Sequence, residues 1–257
     1  KNNLGWWRLD MSVREIDSGL ANLKIVERLP LDKKHINTQQ KIWDDLVVTT
    51  PVSIGKKASS KERDEKRLGA STLVYGEIRF EPYGVTIEKI KKWYGGLQKP
   101  GGVFYDIGSG TGKPTFAAAL LHDFDKAYGV EILEGLHKIS VTLLERWNKA
   151  IRPNLNKAKQ ETDIQFICGD AVAYDWSDAD LCFANSTCFD SKLMQQLAKA
   201  ADSMKKDSFF ITFTKELPSK AWKVLEAERH NMSWGQATVY IQQKLAEPPS
   251  SDPSVSS

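Results

Sequence analysis

Cysteine is scarce: three residues, Cys168, Cys182 and Cys188, in a chain of 257. Their number is odd and their spacing shows no pairing, which argues against a disulfide framework and for a reducing compartment. The four histidines, His35, His122, His137 and His230, are scattered, which speaks against a structural zinc site, and no metal is expected. An excess of one charge is missing too. The 36 Lys and Arg against 33 Asp and Glu leave a net +3, too little to indicate a nucleic-acid partner by itself. No apolar run approaches the roughly 18 residues of a membrane span. The longest near the middle is the short stretch Phe116–Leu121.

What is present is the balance of a folded protein, 41% hydrophobic and 27% charged. At roughly 150 residues per domain the length allows about 1.7 domains, which fits one large domain with an elaborated end. No internal repeat is visible. The chain opens on Lys1 rather than Met, as a fragment of a longer protein would. Residues 1–71 read as a helical N-terminal cap, with helical spacing at Ile36, Ile42, Trp43 and Leu46. Within it, 55–67 is a mixed-charge run with no apolar member larger than alanine. It is expected as a flexible surface loop or linker, with a solvated helix or a partner- or substrate-binding segment as the alternatives. Residues 72–246 form the main domain, and the Pro- and Ser-rich 247–257 are expected to be a disordered tail.

In the main domain, helical spacing over 86–97 is followed by short apolar runs at 103–107, 127–130, 164–168, 181–184 and 208–213. Helical candidates lie between them at 113–122, 134–150 and 190–204. That alternation builds a parallel sheet with helices on both faces. Segments 222–229 and 238–243 have no helix between them and are expected to pair as an antiparallel hairpin. The fold class is therefore α/β: a doubly wound, mostly parallel Rossmann-like sheet with an antiparallel C-terminal edge.

The most informative segment is Asp106-Ile-Gly108-Ser-Gly110-Thr-Gly112-Lys113-Pro114, between a predicted strand and a predicted helix. Glycines there let the backbone turn tightly and approach a ligand. A triphosphate-binding loop requires G-x-x-x-x-G-K-[ST]; here Pro114 follows Lys113, and Ile107 stands at the first glycine position. A dinucleotide fingerprint fails at its third glycine, which is Lys113. D-x-G-x-G-x-G matches throughout and resembles the first motif of class I S-adenosylmethionine-dependent methyltransferases. Two further acids end later strands. Glu131 stands where an acid reaches ribose hydroxyls, and Asp170 where one can accept from an adenine amine.

Four stretches narrow the resemblance to the seven-β-strand histone-lysine methyltransferases of the disruptor-of-telomeric-silencing, or Dot-one-like, type. They are Val74-Tyr-Gly-Glu77, the glycine turn with Gly-Val-Glu131, Asn185-Ser-Thr-Cys-Phe189, and Ser233-Trp-Gly-Gln-Ala-Thr-Val-Tyr240. The resemblance covers roughly 72–243. It implies a seven-stranded fold, S-adenosylmethionine as cofactor and its homocysteine analogue as product. It further implies that Tyr75 and Glu77 close over the methionyl end, and that Asp106, Gly108, Gly110 and Thr111 hold that end from below. Glu131 would take the ribose, and Asp170 with Ala171 the adenine. Asn185 and Phe189 would flank the sulfonium methyl, with Tyr75, Trp234 and Tyr240 completing the lysine channel. Ser186 departs from the family, which has a second Asn there.

The activity so implied is methyl transfer to the neutral amine of a protein lysine, foremost of a histone. Other acceptors stay open: a non-histone protein, a small molecule, or a nucleobase or glutamine, although the (Asn/Asp)-Pro-Pro-aromatic motif of that last group is absent. A module that only holds the cofactor is a further alternative. No strongly basic extension is present; Arg146, Lys149, Arg152, Lys157 and Lys159 are the candidates for a weak nucleosome or nucleic-acid contact. No membrane partner is expected. The compartment is nuclear or cytoplasmic, nuclear for a histone substrate.

Overall fold

The computed structural model describes residues 28–67, 73, 75–232 and 235–245. The first part of the cap, Val74, Trp234 and the tail expected at 247–257 lie outside the described residues.

Two helices come first: α1 (Lys33–Val47), with Asp32 accepting from His35 N at 2.8 Å, and α2 (Val52–Glu65). α3 (Phe80–Trp93) leads into the sheet; it begins six residues before the span read from the sequence. There follow β1 (Val103–Ile107), α4 (Lys113–Leu121), β2 (Lys126–Glu131) and α5 (Glu134–Arg146). A π-helical turn over Trp147–Ile151 carries the chain on to the short α6 (Lys157–Glu161) and β3 (Asp163–Cys168). β4 (Leu181–Ala184), α7 (Ser191–Ala201), β5 (Phe209–Phe213), β6 (Trp222–Met232) and β7 (Gly235–Lys244) complete the order.

The seven strands lie in the order β3-β2-β1-β4-β5-β7-β6. All pairings from β3 to β5 are parallel, and β7 runs antiparallel to both β5 and β6. The doubly wound sheet with its hairpin edge is thus as expected from the sequence. Alternation along the strands divides the core into two layers. Phe104, Leu181, Phe183, Phe209 and Ile211 pack with α1, α3 and α4 on one face. Tyr105, Ile107, Cys182, Ala184 and Phe210 pack with α7 and Trp176 on the other. α4 is buried on all sides, Phe116 to Leu121 being no more than 1% exposed, as an evenly apolar helix requires.

The charged run 55–67 corrects one expectation. It is not a flexible loop: α2 spans most of it, with Gly55, Ser59 and Glu62 buried. Those small and polar residues carry the contact. Ser59 Oγ donates to Leu73 O at 3.0 Å, and Glu62 accepts from the amides of Glu134 (3.1 Å) and Gly135 (2.7 Å) at the start of α5. α5 has no cap from its own preceding side chain, so a carboxylate from another helix occupies the positive end of its dipole.

Candidate active site

The glycine turn joins β1 to α4. Gly108, Gly110 and Gly112 all have positive φ (74°, 56° and 81°), which L side chains rarely adopt. Space demands glycine as well. A Cβ on Gly110 would come within 2.6 Å of the Tyr75 ring, and one on Gly112 within 2.5 Å of Phe166. Above this turn lies a cleft of about 350 Å³ at the carboxyl ends of β1, β2 and β4. Open parallel sheets bind their ligands at that end.

Most of the expected residues meet there. Tyr75, Glu77, Gly108, Gly110, Glu131, Asp170, Ala171, Asn185 and Phe189 all line the cleft. Glu131 is 6% exposed and accepts from Gly110 N at 2.7 Å and Leu133 N at 2.8 Å. Burial raises its carboxyl above the usual range, although these amide bonds oppose the shift. Asp170 Oδ1 accepts from Val172 N at 3.0 Å, forming the turn after β3. Tyr75 Oη donates to Glu77 Oε1 at 2.7 Å and meets Thr111 Oγ1 at 2.7 Å. Burial, reinforced by the Glu77 charge, holds the Tyr75 phenol well above its ordinary range, so it stays protonated. Asn185 Nδ2 donates to Gly76 O at 3.1 Å while its Oδ1 accepts from Thr187 Oγ1 at 3.1 Å. The loop after β4 thereby grips the 75–77 segment across the cleft, and Phe189 stands against Gly108.

Asp106, Thr111 and Tyr240 are not on the lining. Asp106 sits one residue before Ile107, and the strand's period of two turns it to the opposite layer, beneath α4. There it is 1% exposed and accepts from Thr115 Oγ1 at 2.8 Å, while its Oδ1 has no partner among the described residues. Burial pushes it up to about 8; the Thr115 hydroxyl opposes this and the Glu131 charge adds to it. Thr111 is 1% exposed, and its hydroxyl meets the Tyr75 phenol. Tyr240 is half-buried on β7, opposite Thr212 of β5 and Ala227 of β6. Trp234 falls outside the described residues.

Two residues were not legible as functional. Lys113, which serves in the sequence only to reject a dinucleotide fingerprint, lines the cleft and is buried. Its Nζ donates to both oxygens of Glu77 at 2.7 Å and to Thr50 O at 2.6 Å. The signal for it was a lysine at the first position of a predicted helix, where a cation is disfavoured. Ser186, where the family has Asn, is fully buried. It donates to Phe213 O at 2.7 Å and accepts from Phe213 N at 3.1 Å, tying the loop to β5. Among the expected basic residues, Arg146 is bound to Leu46 O and Asp45, Arg152 to Gln160 O, and Lys159 to Asp123, so they form no open patch.

Residues 61–243 match the family described as histone methylation protein DOT1. The chain is 29% identical over 188 residues to a histone-lysine N-methyltransferase, H3 lysine-79 specific, from Dictyostelium discoideum. The match covers 65% of this chain and 10% of that protein, so the chain spans about a tenth of the relative's length. Similar solved structures include an RNA methyltransferase from Salinibacter ruber in complex with S-adenosyl-L-homocysteine (TM-score 0.43, 19% identity, 65% of this chain and 94% of that one). Another is the M1A22 tRNA methyltransferase TrmK of B. subtilis (TM-score 0.45, 13% identity, 68% of each chain). With the family matching most of its length, the chain belongs to the DOT1 histone methylation family.

Proposed function

We propose that this chain is an S-adenosylmethionine-dependent protein-lysine N-methyltransferase that acts on a histone lysine in the nucleus. The observation that carries this reading is the 2.7 Å bond from Gly110 N to Glu131 Oε2. In a phosphate-binding turn such amides point at the ligand's anionic oxygens. Here the protein's own carboxylate takes the amide. The one cation among the described lining residues, Lys113, is already paired with Glu77. A phosphate would meet Glu131 and Asp170 with no cation left to offset them.

An adenosyl compound bearing an ammonium suits the same residues. Glu131 has further lone pairs for ribose hydroxyls, and Asp170 has its Oδ2 for the adenine amine. Ile107, Val130, Ile132 and Leu136 offer apolar walls to the base and stem. When bound, the cofactor supplies an electrophilic methyl group on a sulfonium.

The chain's own task is alignment, exclusion of water and delivery of a neutral amine. A free lysine titrates near 10.4. The apolar wall of Phe183, Phe189, Leu193 and Leu197 favours the uncharged amine by withholding water. Asn185, fixed at both ends of its amide, keeps an Oδ1 lone pair in a set direction to accept from that amine. The lysine specificity of the Dictyostelium relative, as its name states it, supports a histone acceptor. For contact with a nucleosome the exposed Lys149 and Lys157 are the cations to draw on.

The test is transfer from isotope-labelled cofactor to purified core histones, read beside calorimetry with S-adenosylhomocysteine. Wild type labels a histone. Glu131→Ala weakens ligand binding, and Asn185→Ala loses turnover while largely keeping binding. An absence of heat with S-adenosylhomocysteine, together with clear saturation by ATP or NADH, overturns the reading.

A further inference from the structure

We propose that Lys113 is a positioning residue: acting through Glu77, it fixes the Tyr75–Glu77 segment over the glycine turn and so sets affinity for the adenosyl ligand. The proposal rests on the cofactor reading above. It concerns a residue that chemistry alone would place elsewhere. Lys113 opens α4, where the helix dipole disfavours a cation, and it is only 4% exposed, where an unpaired ammonium would be costly. Both costs are met by one arrangement. An ammonium has three donors, and three acceptors surround this one: Glu77 Oε1, Glu77 Oε2 and Thr50 O.

Three segments are pinned by that arrangement. Thr50 belongs to the joint between α1 and α2, Glu77 to the segment above the cleft, and Lys113 to the helix that the glycine turn opens. The main chain repeats the link, since Trp43 Nε1 on α1 donates to Lys113 O at 3.1 Å. Glu77 in turn accepts from Tyr75 Oη, whose ring lies against Gly110. A displacement of Glu77 therefore moves the ring that covers the turn. From the other side Asn185 holds only Gly76 O, a single neutral hydrogen bond at 3.1 Å. The ion pair is a stronger hold on this segment than that hydrogen bond.

The experiment uses Lys113→Met, which keeps the stem and removes the charge, and Glu77→Gln, which keeps the shape. Two quantities are read: amide hydrogen exchange of 76–78 in the ligand-free protein, and S-adenosylhomocysteine affinity with steady-state kinetics. Both variants are expected to exchange faster at 76–78 with unchanged protection in β1 and β4. They are expected to weaken affinity by about tenfold, with kcat at saturation falling less than about threefold. The double variant should lose little more than either single one, as coupled partners do. Normal exchange at 76–78 with weakened affinity would mean that Lys113 touches the ligand directly, and would overturn the proposal. Unchanged affinity with a lowered melting temperature would overturn it in favour of a merely structural ion pair. If wild type binds no adenosyl ligand, the functional reading fails. The exchange data then still decide whether Lys113 holds the segment.

Discussion

The ring of Tyr75 occupies the space that a side chain on Gly55 would need: a Cβ built there lies 2.3 Å from Tyr75 Cε1. The opposite edge of the ring meets Gly110 in the same way, its Cε2 at 2.6 Å. A residue of the cleft is thus held between a helix of the cap and the glycine turn, with a glycine on each side.

Gly55→Ala decides between two opposed effects. Alanine within α2 gains about 0.5–1 kcal/mol of helix propensity. Forcing a methyl group into a ring that has no room to retreat costs about 1–3 kcal/mol. The expected outcome is a net loss of roughly 1 kcal/mol in chemical denaturation, with weaker S-adenosylhomocysteine binding as Tyr75 is displaced. A gain in stability would show that the ring moves freely.

Asp106 gives a pH dependence with a definite sign. Burial pushes its carboxyl up to about 8, so the fold favours the protonated acid. The stabilisation is complete below the unfolded value of about 3.9 and is lost as pH rises through about 8. Wild type should therefore lose stability relative to Asp106→Asn between pH 5 and pH 8, measured by denaturant unfolding at each pH. Parallel profiles for the two proteins would contradict the burial argument.

Glu62 caps α5 from another helix, and its acceptor bonds and Lys66 hold its carboxyl below the ordinary range despite burial. Glu62→Ala should cost about 1–2 kcal/mol, the worth of a cap with favourable dipole placement. The difference from wild type should shrink as pH falls through the carboxylate range, because a lowered value stabilises only the ionised form. Thermal melts at pH 7 and pH 4 measure both effects.

Ser186→Ala removes a hydrogen bond in each direction between the loop after β4 and Phe213 on β5. The expected cost is about 1–2 kcal/mol in buried surroundings. Turnover should fall more than ligand affinity, since Asn185 is the next residue. Calorimetric affinity and kcat measured on the same preparation separate the two.

Much of this architecture is readable along the chain because it depends on near neighbours in sequence. Alternating strands and amphipathic helices, the glycine turn between β1 and α4, and the acids closing β1, β2 and β3 are all local patterns, set by side-chain periodicity and backbone freedom. The resemblance to the DOT1 family rests on such patterns too. Asp106 marks the limit of this reading: the motif names the residue, but the alternation along β1 turns it under α4 rather than onto the cleft wall. Tyr240 likewise follows its strand, seated between β5 and β6.

The helix at 52–65 and the Lys113–Glu77 pair were decided only by tertiary structure. Nothing in the composition of 55–67 promises burial, because the residues that bury are a glycine, a serine and a glutamate. Their burial is favourable only because Tyr75, the Leu73 carbonyl and the first amides of α5 meet them there. Lys113 and Glu77 stand 36 positions apart and come together only once α4 has docked behind the turn. A buried polar group is stable only when a distant partner satisfies it, and local sequence does not say where that partner will be.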